Sequence, residues 1–204
     1  DSPVVAAAKS RRRIPFWAAP VLAALPLWGV IYVASVQPPP AGATDALVIG
    51  KEGYTANCAG CHLESGAGVK GGGTGQQLNE GEVLKTFKDP LSMAYWVHFG
   101  ATGGGARPDR TYGDLDREGG PRTLDTLPAG AMPGFASLPP EEMAAIIIYI
   151  REGLSGGKPA DDPNFNSELY KADPAAMAKL LEEAAALKAD DPDAVSTLAG
   201  AEKE

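Results

Sequence analysis

A chain of 204 residues with 44 % hydrophobic side chains has room for one modest domain plus extensions. Its formal charge of −8 is segregated, with +3 in residues 1–40, −5 in 41–157 and −6 in 158–204. An acidic body excludes the basic stripe that nucleic acid requires, and it suits a partner with a positive docking surface.

Residues 1–13 contain Lys9, Arg11, Arg12 and Arg13 and are read as a short cytoplasmic N-terminus. The next 23 residues, Ile14 to Val36, carry no charge. As a helix they would extend about 34 Å, enough for a hydrocarbon core of about 30 Å. Trp17 stands near one end, with Trp28 and Tyr32 toward the other, as interfacial anchors would. Pro20 and Pro26 are tolerated in membrane helices. The preceding basic cluster predicts that the N-terminus stays inside and that everything after Gln37 lies outside, on the periplasmic or extracellular side. The competing reading is a cleaved signal peptide ending near "AGA" at 41–43. The run is longer than the 7–15 residues or so of a signal core, which favours a single-pass anchor in the cell membrane. "QPPPAGAT", 37–44, is expected to be an extended polyproline spacer.

A domain is predicted over 45–156. It opens on a helix, "DALVIGKEGYTANCAGCH", which contains both cysteines of the chain. Cys58 and Cys61 are three apart and His62 follows directly, the C-x-x-C-H pattern of covalent c-type haem attachment. Two thiols at that spacing can add across the porphyrin vinyl groups, and the adjacent imidazole can turn onto the iron. Three other uses of these residues compete. A thioredoxin-like pair wants a preceding strand, yet no β-branched run precedes Cys58. A structural zinc site wants four ligands, and His98 is the sole remaining histidine. A disulfide across so small a loop constrains little. None of the three explains the trailing histidine.

Gly50 and Tyr54 lie eight and four residues before Cys58, on one helical face. The segment "PPEEMAAIIIYIREGL", 139–154, reads as a second helix, with a favourable Pro–Pro–Glu–Glu start, a stop near Gly153, and Ile146, Tyr149 and Ile150 on one side. Together with "GTGQQLNEG" (73–81), "MAYWVHFGATGG" (93–104) and "PAGAMPGF" (128–135), these features resemble the class I, monohaem c-type cytochromes over roughly residues 45–155. The resemblance implies an all-α haem domain with one covalent haem c, in which Tyr149 packs against Gly50 where the first and last helices cross. It also implies iron ligated by His62 and by Met132, in a Met-Pro-x-Phe loop. The family's proline before the conserved leucine is absent, and Gln76 stands there instead.

Other sixth ligands stay open on the residues alone. His98 would give a bis-histidine iron, and a distal site with no protein ligand would bind small gases. Met93 and Met143 sit in helices where methionine usually fills core. The segment 100–128 is rich in Gly, Pro and mixed charge with no clear period. It reads as a flexible insertion or docking feature whose arginines (107, 110, 117, 122) include a candidate for a haem propionate. Residues 157–204 form an acidic extension, with a marginal helix over 173–195 expected to lie on another protein or remain solvated.

The function implied is electron transfer through one haem on the outer face of the membrane. The chain would be a subunit of, or a tethered carrier for, a respiratory complex, passing electrons from a quinol-oxidising complex to a terminal oxidase. It would not be an enzyme by itself, since no nucleophile–base pair is apparent. The alternatives are an electron acceptor for a membrane-bound dehydrogenase, a haem-based gas sensor, and a structural haem with the tail as an assembly device.

Overall fold

The computed structural model describes residues 2–10, 18–35, 45–126 and 132–186. It divides into two compact units, 1–40 and 41–204. The first holds helices α1 (Pro3–Ser10) and α2 (Ala18–Ser35). Large apolar side chains of α2, among them Val21, Leu25, Leu27, Val30 and Ile31, are exposed, and Trp28 stacks on Tyr32 with ring centroids 5.3 Å apart. Residues 14–17 and 36 of the predicted span, and the whole 37–44 spacer, lie outside the described residues. Among the described residues no helix is long and apolar enough to cross a membrane.

The second unit begins with α3 (Ala46–Asn57), capped by Asp45, whose carboxylate accepts from the Leu47 N–H at 2.9 Å. A single turn, α4 (Ala59–His62), follows, then a 3-10 turn at Gly68–Gly71. Next come α5 (Glu82–Thr86) and α6 (Pro90–Phe99). Pro90 occupies the first turn of α6, and Asp89 accepts from the Leu91 and Ser92 N–H groups at 3.2 and 3.0 Å. A ribbon of two short antiparallel strands, β1 (Thr111–Tyr112) and β2 (Arg122–Thr123), pairs Tyr112 with Arg122. Helix α7 (Pro140–Ile148) continues as a π-helical turn, Tyr149–Leu154.

The predicted helix crossing is present. A Cβ on Gly50 would overlap the Ala145 carbonyl and lie 2.6 Å from the Tyr149 Cβ, so only glycine lets α3 and α7 approach this closely. Next to it, Tyr54 and Tyr149 pack with ring centroids 5.6 Å apart. The helical run continues past the expected stop at Gly153 to Leu154. Gly156, with φ of +79°, then turns the chain away.

Two expectations require correction. The segment 100–128 is not simply a flexible insertion: over 100–126 it is folded onto the domain through the β ribbon, which adds a small sheet to the otherwise helical fold. The second concerns the extension, which over its described residues 157–186 is not detached from the preceding domain. Helices α8 (Ser167–Ala172) and α9 (Pro174–Ala186) belong to the same compact unit, and α9 packs against both α6 and α7. Met177, Ala178, Leu181 and Ala184 supply its buried stripe. This explains why α6 is apolar nearly all round, since a helix covered on several sides has no solvent face. The expected helix 173–195 is described only as far as Ala186.

One ion pair fastens the extension. Arg151, 2 % exposed, meets the Asp162 carboxylate through Nε at 2.6 Å and Nη2 at 2.7 Å. It also donates to the Phe87 and Lys88 carbonyls at 2.7 and 3.1 Å, so the buried charge is both paired and hydrogen-bonded.

Candidate haem site

The end of α3 sets the geometry of the cysteine motif. The Cys58 N–H closes α3 on the Tyr54 carbonyl at 2.8 Å, and the Cys58 carbonyl accepts from Cys61 and His62 to start α4. Leu63 then takes a positive φ of 65°, which ends the turn after His62. The Tyr54 hydroxyl donates to the Leu63 carbonyl at 2.7 Å and holds that reversal in place. Cys58, Cys61 and His62 thereby border one cavity.

The loop 73–81 lies against the histidine. Thr74 and Gly75 N–H groups both donate to the Cys61 carbonyl, at 3.0 and 2.8 Å. A Cβ on Gly75 would come within 2.7 Å of His62 Nδ1, so the imidazole rests on a bare glycine. Nδ1 lies 2.7 Å from the carbonyl oxygen of Gln76. A carbonyl can only accept, so the proton is on Nδ1 and the lone pair is on Nε2. The contact uses a backbone atom, which is why glutamine serves where the resemblance expects proline.

Electrostatics favour the neutral forms. Burial lowers the His62 pKa, against the opposing effect of the Gln76 hydrogen bond. Burial, helped by neighbouring Cys61, pushes the Cys58 thiol up to about 11. That is the reverse of the acidic thiol a dithiol oxidoreductase needs, so the thioredoxin-like reading has no support. Among the described residues, no group of three or more His, Cys, Asp or Glu side chains is placed to hold a metal ion.

Across the same cavity runs an apolar wall from α5, α6 and α7 that includes Val83, Met93, Trp96, Ile146 and Ile150. Met132 lines it too. Its loop is laced to the end of α6 by Ala101 N–H to the Met132 carbonyl at 2.9 Å and Phe135 N–H to the Val97 carbonyl at 3.0 Å. The Trp96 indole N–H donates to the Met132 sulfur at 3.1 Å. His98 is not among the lining residues; it packs edge-on to Phe99 instead. Met143 is core filling, 3 % exposed. Met93 lines the cavity from within α6.

The arginines of the 100–126 segment are not merely solvated. Arg117 and Arg122 share the Glu82 carboxylate, donating to Oε2 at 2.8 and 2.9 Å, and Arg122 also borders the cavity. Burial alone would raise the Glu82 pKa, but the Arg117 hydrogen bond and charge, with Arg122 and Lys85, hold it below the usual carboxylate range. Arg110 pairs with Asp125 in the open. No residue pattern signalled these partners, because Glu82 lies 35 and 40 positions away from its arginines.

The donor set suits a porphyrin with its iron. Two thiols stand at the cavity border, an imidazole with its Nε2 lone pair available lines it, and so does a thioether, all against an apolar wall. A family model described as Cytochrome c matches residues 47–153, over half of the chain, and the chain belongs to that family. No curated protein matches the chain, and no solved structure does. Members of the family bind covalently attached haem c and carry electrons through it.

Proposed function

We propose that this cytochrome c is a tethered electron carrier on the outer face of a cell membrane, held there by residues 14–36. Its haem is attached through Cys58 and Cys61, and the iron is ligated by His62 and Met132. The observation that carries this reading is that the His62 imidazole and the Met132 thioether line one apolar cavity bordered by the two thiols. The bound haem supplies a one-electron iron couple. The chain's part is to hold both axial atoms, so that a change of oxidation state demands little ligand rearrangement, and to surround them with low dielectric. Gln76 fixes the imidazole tautomer, and Trp96 holds the sulfur. A gas-binding site would instead leave the sixth position open, and the placement of Met132 speaks against it.

Support for the tether comes from the uncharged run 14–36 behind a basic cluster, and from the exposed apolar side chains of α2. The acidic body suits electropositive redox partners. Within a respiratory chain these would be a quinol-oxidising complex as donor and a terminal oxidase as acceptor. A membrane-bound dehydrogenase as donor is the second arrangement. The test is to wash membranes of cells expressing the full chain with alkaline carbonate, then stain for covalent haem and add quinol. The expected result is a haem band that stays with the membrane, is reduced on quinol addition, and is reoxidised by oxygen only while the oxidase is uninhibited. A band released by the wash would overturn the tether. Reduction by a dehydrogenase substrate but not by quinol would select the second arrangement.

A further inference from the structure

The ribbon 111–123 has no part in the proposed function, yet it reaches the Met132 sulfur through Trp96. Strand β1 lays Tyr112 flat on Trp96, with ring centroids 4.1 Å apart and planes 12° from parallel. Phe87 closes the group at 6.4 Å from Trp96 and 6.3 Å from Tyr112. Both stacked rings are almost wholly buried, Trp96 at 6 % and Tyr112 at 4 % exposure. The ribbon is itself clamped. The Asp114 N–H donates to the Thr86 carbonyl at 2.6 Å, Lys88 pairs with Asp114 at 2.6 Å, and Arg117 and Arg122 grip Glu82. The stacked indole has its N–H on the Met132 sulfur.

An indole has a single polar group, a donor, and leaving it buried without a partner is unfavourable. A thioether sulfur has two lone pairs. With one accepting from Trp96, the other is left for a metal, so the hydrogen bond also selects which pair is presented. A Met132 sulfur bound to ferric iron would give up more density, and accept more weakly, than one bound to ferrous iron, so the Trp96 hydrogen bond would favour reduction.

We propose that Trp96 is a positioning residue that raises the reduction potential by hydrogen-bonding the axial sulfur, and that Tyr112 of the inserted ribbon holds the indole in register. This rests on Met132 being the sixth ligand. The test uses the full holoprotein and its Trp96→Phe, Tyr112→Ala and Tyr112→Phe variants. It reads the reduction potential and the near-infrared charge-transfer band of methionine-ligated ferric iron.

Trp96→Phe keeps an aromatic ring and removes the N–H. It is expected to retain the band at a shifted position and to move the ferrous–ferric equilibrium toward ferric by up to about fivefold. Tyr112→Ala moves both readouts the same way by less, and Tyr112→Phe, which keeps the stack, restores them. The Tyr112 pair decides the matter if Trp96→Phe does not accumulate with haem. An unchanged potential and band in Trp96→Phe, or in Tyr112→Ala, would overturn the proposal while leaving methionine ligation intact. Absence of the band from the unaltered protein would instead remove the ligation reading on which the proposal stands.

Discussion

The two sides of the haem cavity are built in opposite ways. On the proximal side the two thiols and the imidazole fall within five consecutive residues, and the hydrogen bond to the imidazole comes from a carbonyl 14 positions on. On the distal side Met132 depends on Trp96, 36 positions earlier, which in turn depends on Tyr112 in an inserted ribbon. The near side is a local motif that one helical turn presents almost automatically. The far side is an assembly of separate elements, so its geometry can be tuned by changes remote from the iron. On the reading proposed above, attachment would belong to the first side and control of potential to the second.

Breaking the near side should have the largest effect. His62→Ala removes the proximal imidazole, and covalent-haem protein in the membrane fraction, followed by haem stain, is expected to fall more than about tenfold. Breaking the far side should spare attachment. Met132→Ala is expected to accumulate with covalent haem at near-normal level, but to bind carbon monoxide rapidly when reduced, as seen in the visible spectrum. If Met132→Ala also lost its haem, the division between attachment and control would fail.

A milder change tests the frame around the cavity. Asp162→Ala strands the Arg151 guanidinium in the interior beside the Phe87 carbonyl, and denaturant unfolding should show a loss of roughly 3–5 kcal/mol. The smallest effect is expected at Glu82. Its pKa is depressed in the folded protein, so the ionised carboxylate adds stability above the ordinary carboxylate range. That contribution is lost as pH falls through the depressed value. The stability gap between the protein and Glu82→Gln, about 1 kcal/mol at neutral pH, should therefore narrow and close as the pH is lowered through and below the ordinary carboxylate range.

What could be read from the residues follows the same division. The cysteine motif, the Gly50–Tyr149 crossing and the Met132 loop are legible because each is a short pattern whose partner is another short pattern. The ribbon is not, since two-residue strands leave no periodic trace and Tyr112 finds Trp96 only in three dimensions. The extension was half legible. Met177 and Leu181 mark an apolar stripe, but a stripe does not say whether it covers its own chain or another protein. A signal the sequence reading did not use is Arg151, a charge set in the run "IIIYIREG", whose partner Asp162 lies in the extension itself. A charge on that face of a buried helix must find a counter-charge, and the first acidic side chains of the extension supply it.

On the proposed reading, His62 and Met132 would fill both axial positions of the iron. The visible spectrum of the reduced, unaltered holoprotein before and after carbon monoxide tests this. A low-spin spectrum that the gas leaves unchanged is expected. A rapid spectral shift on adding the gas would mean an open or labile sixth position, and would contradict both the assignment of Met132 and the reading of this protein as an electron carrier.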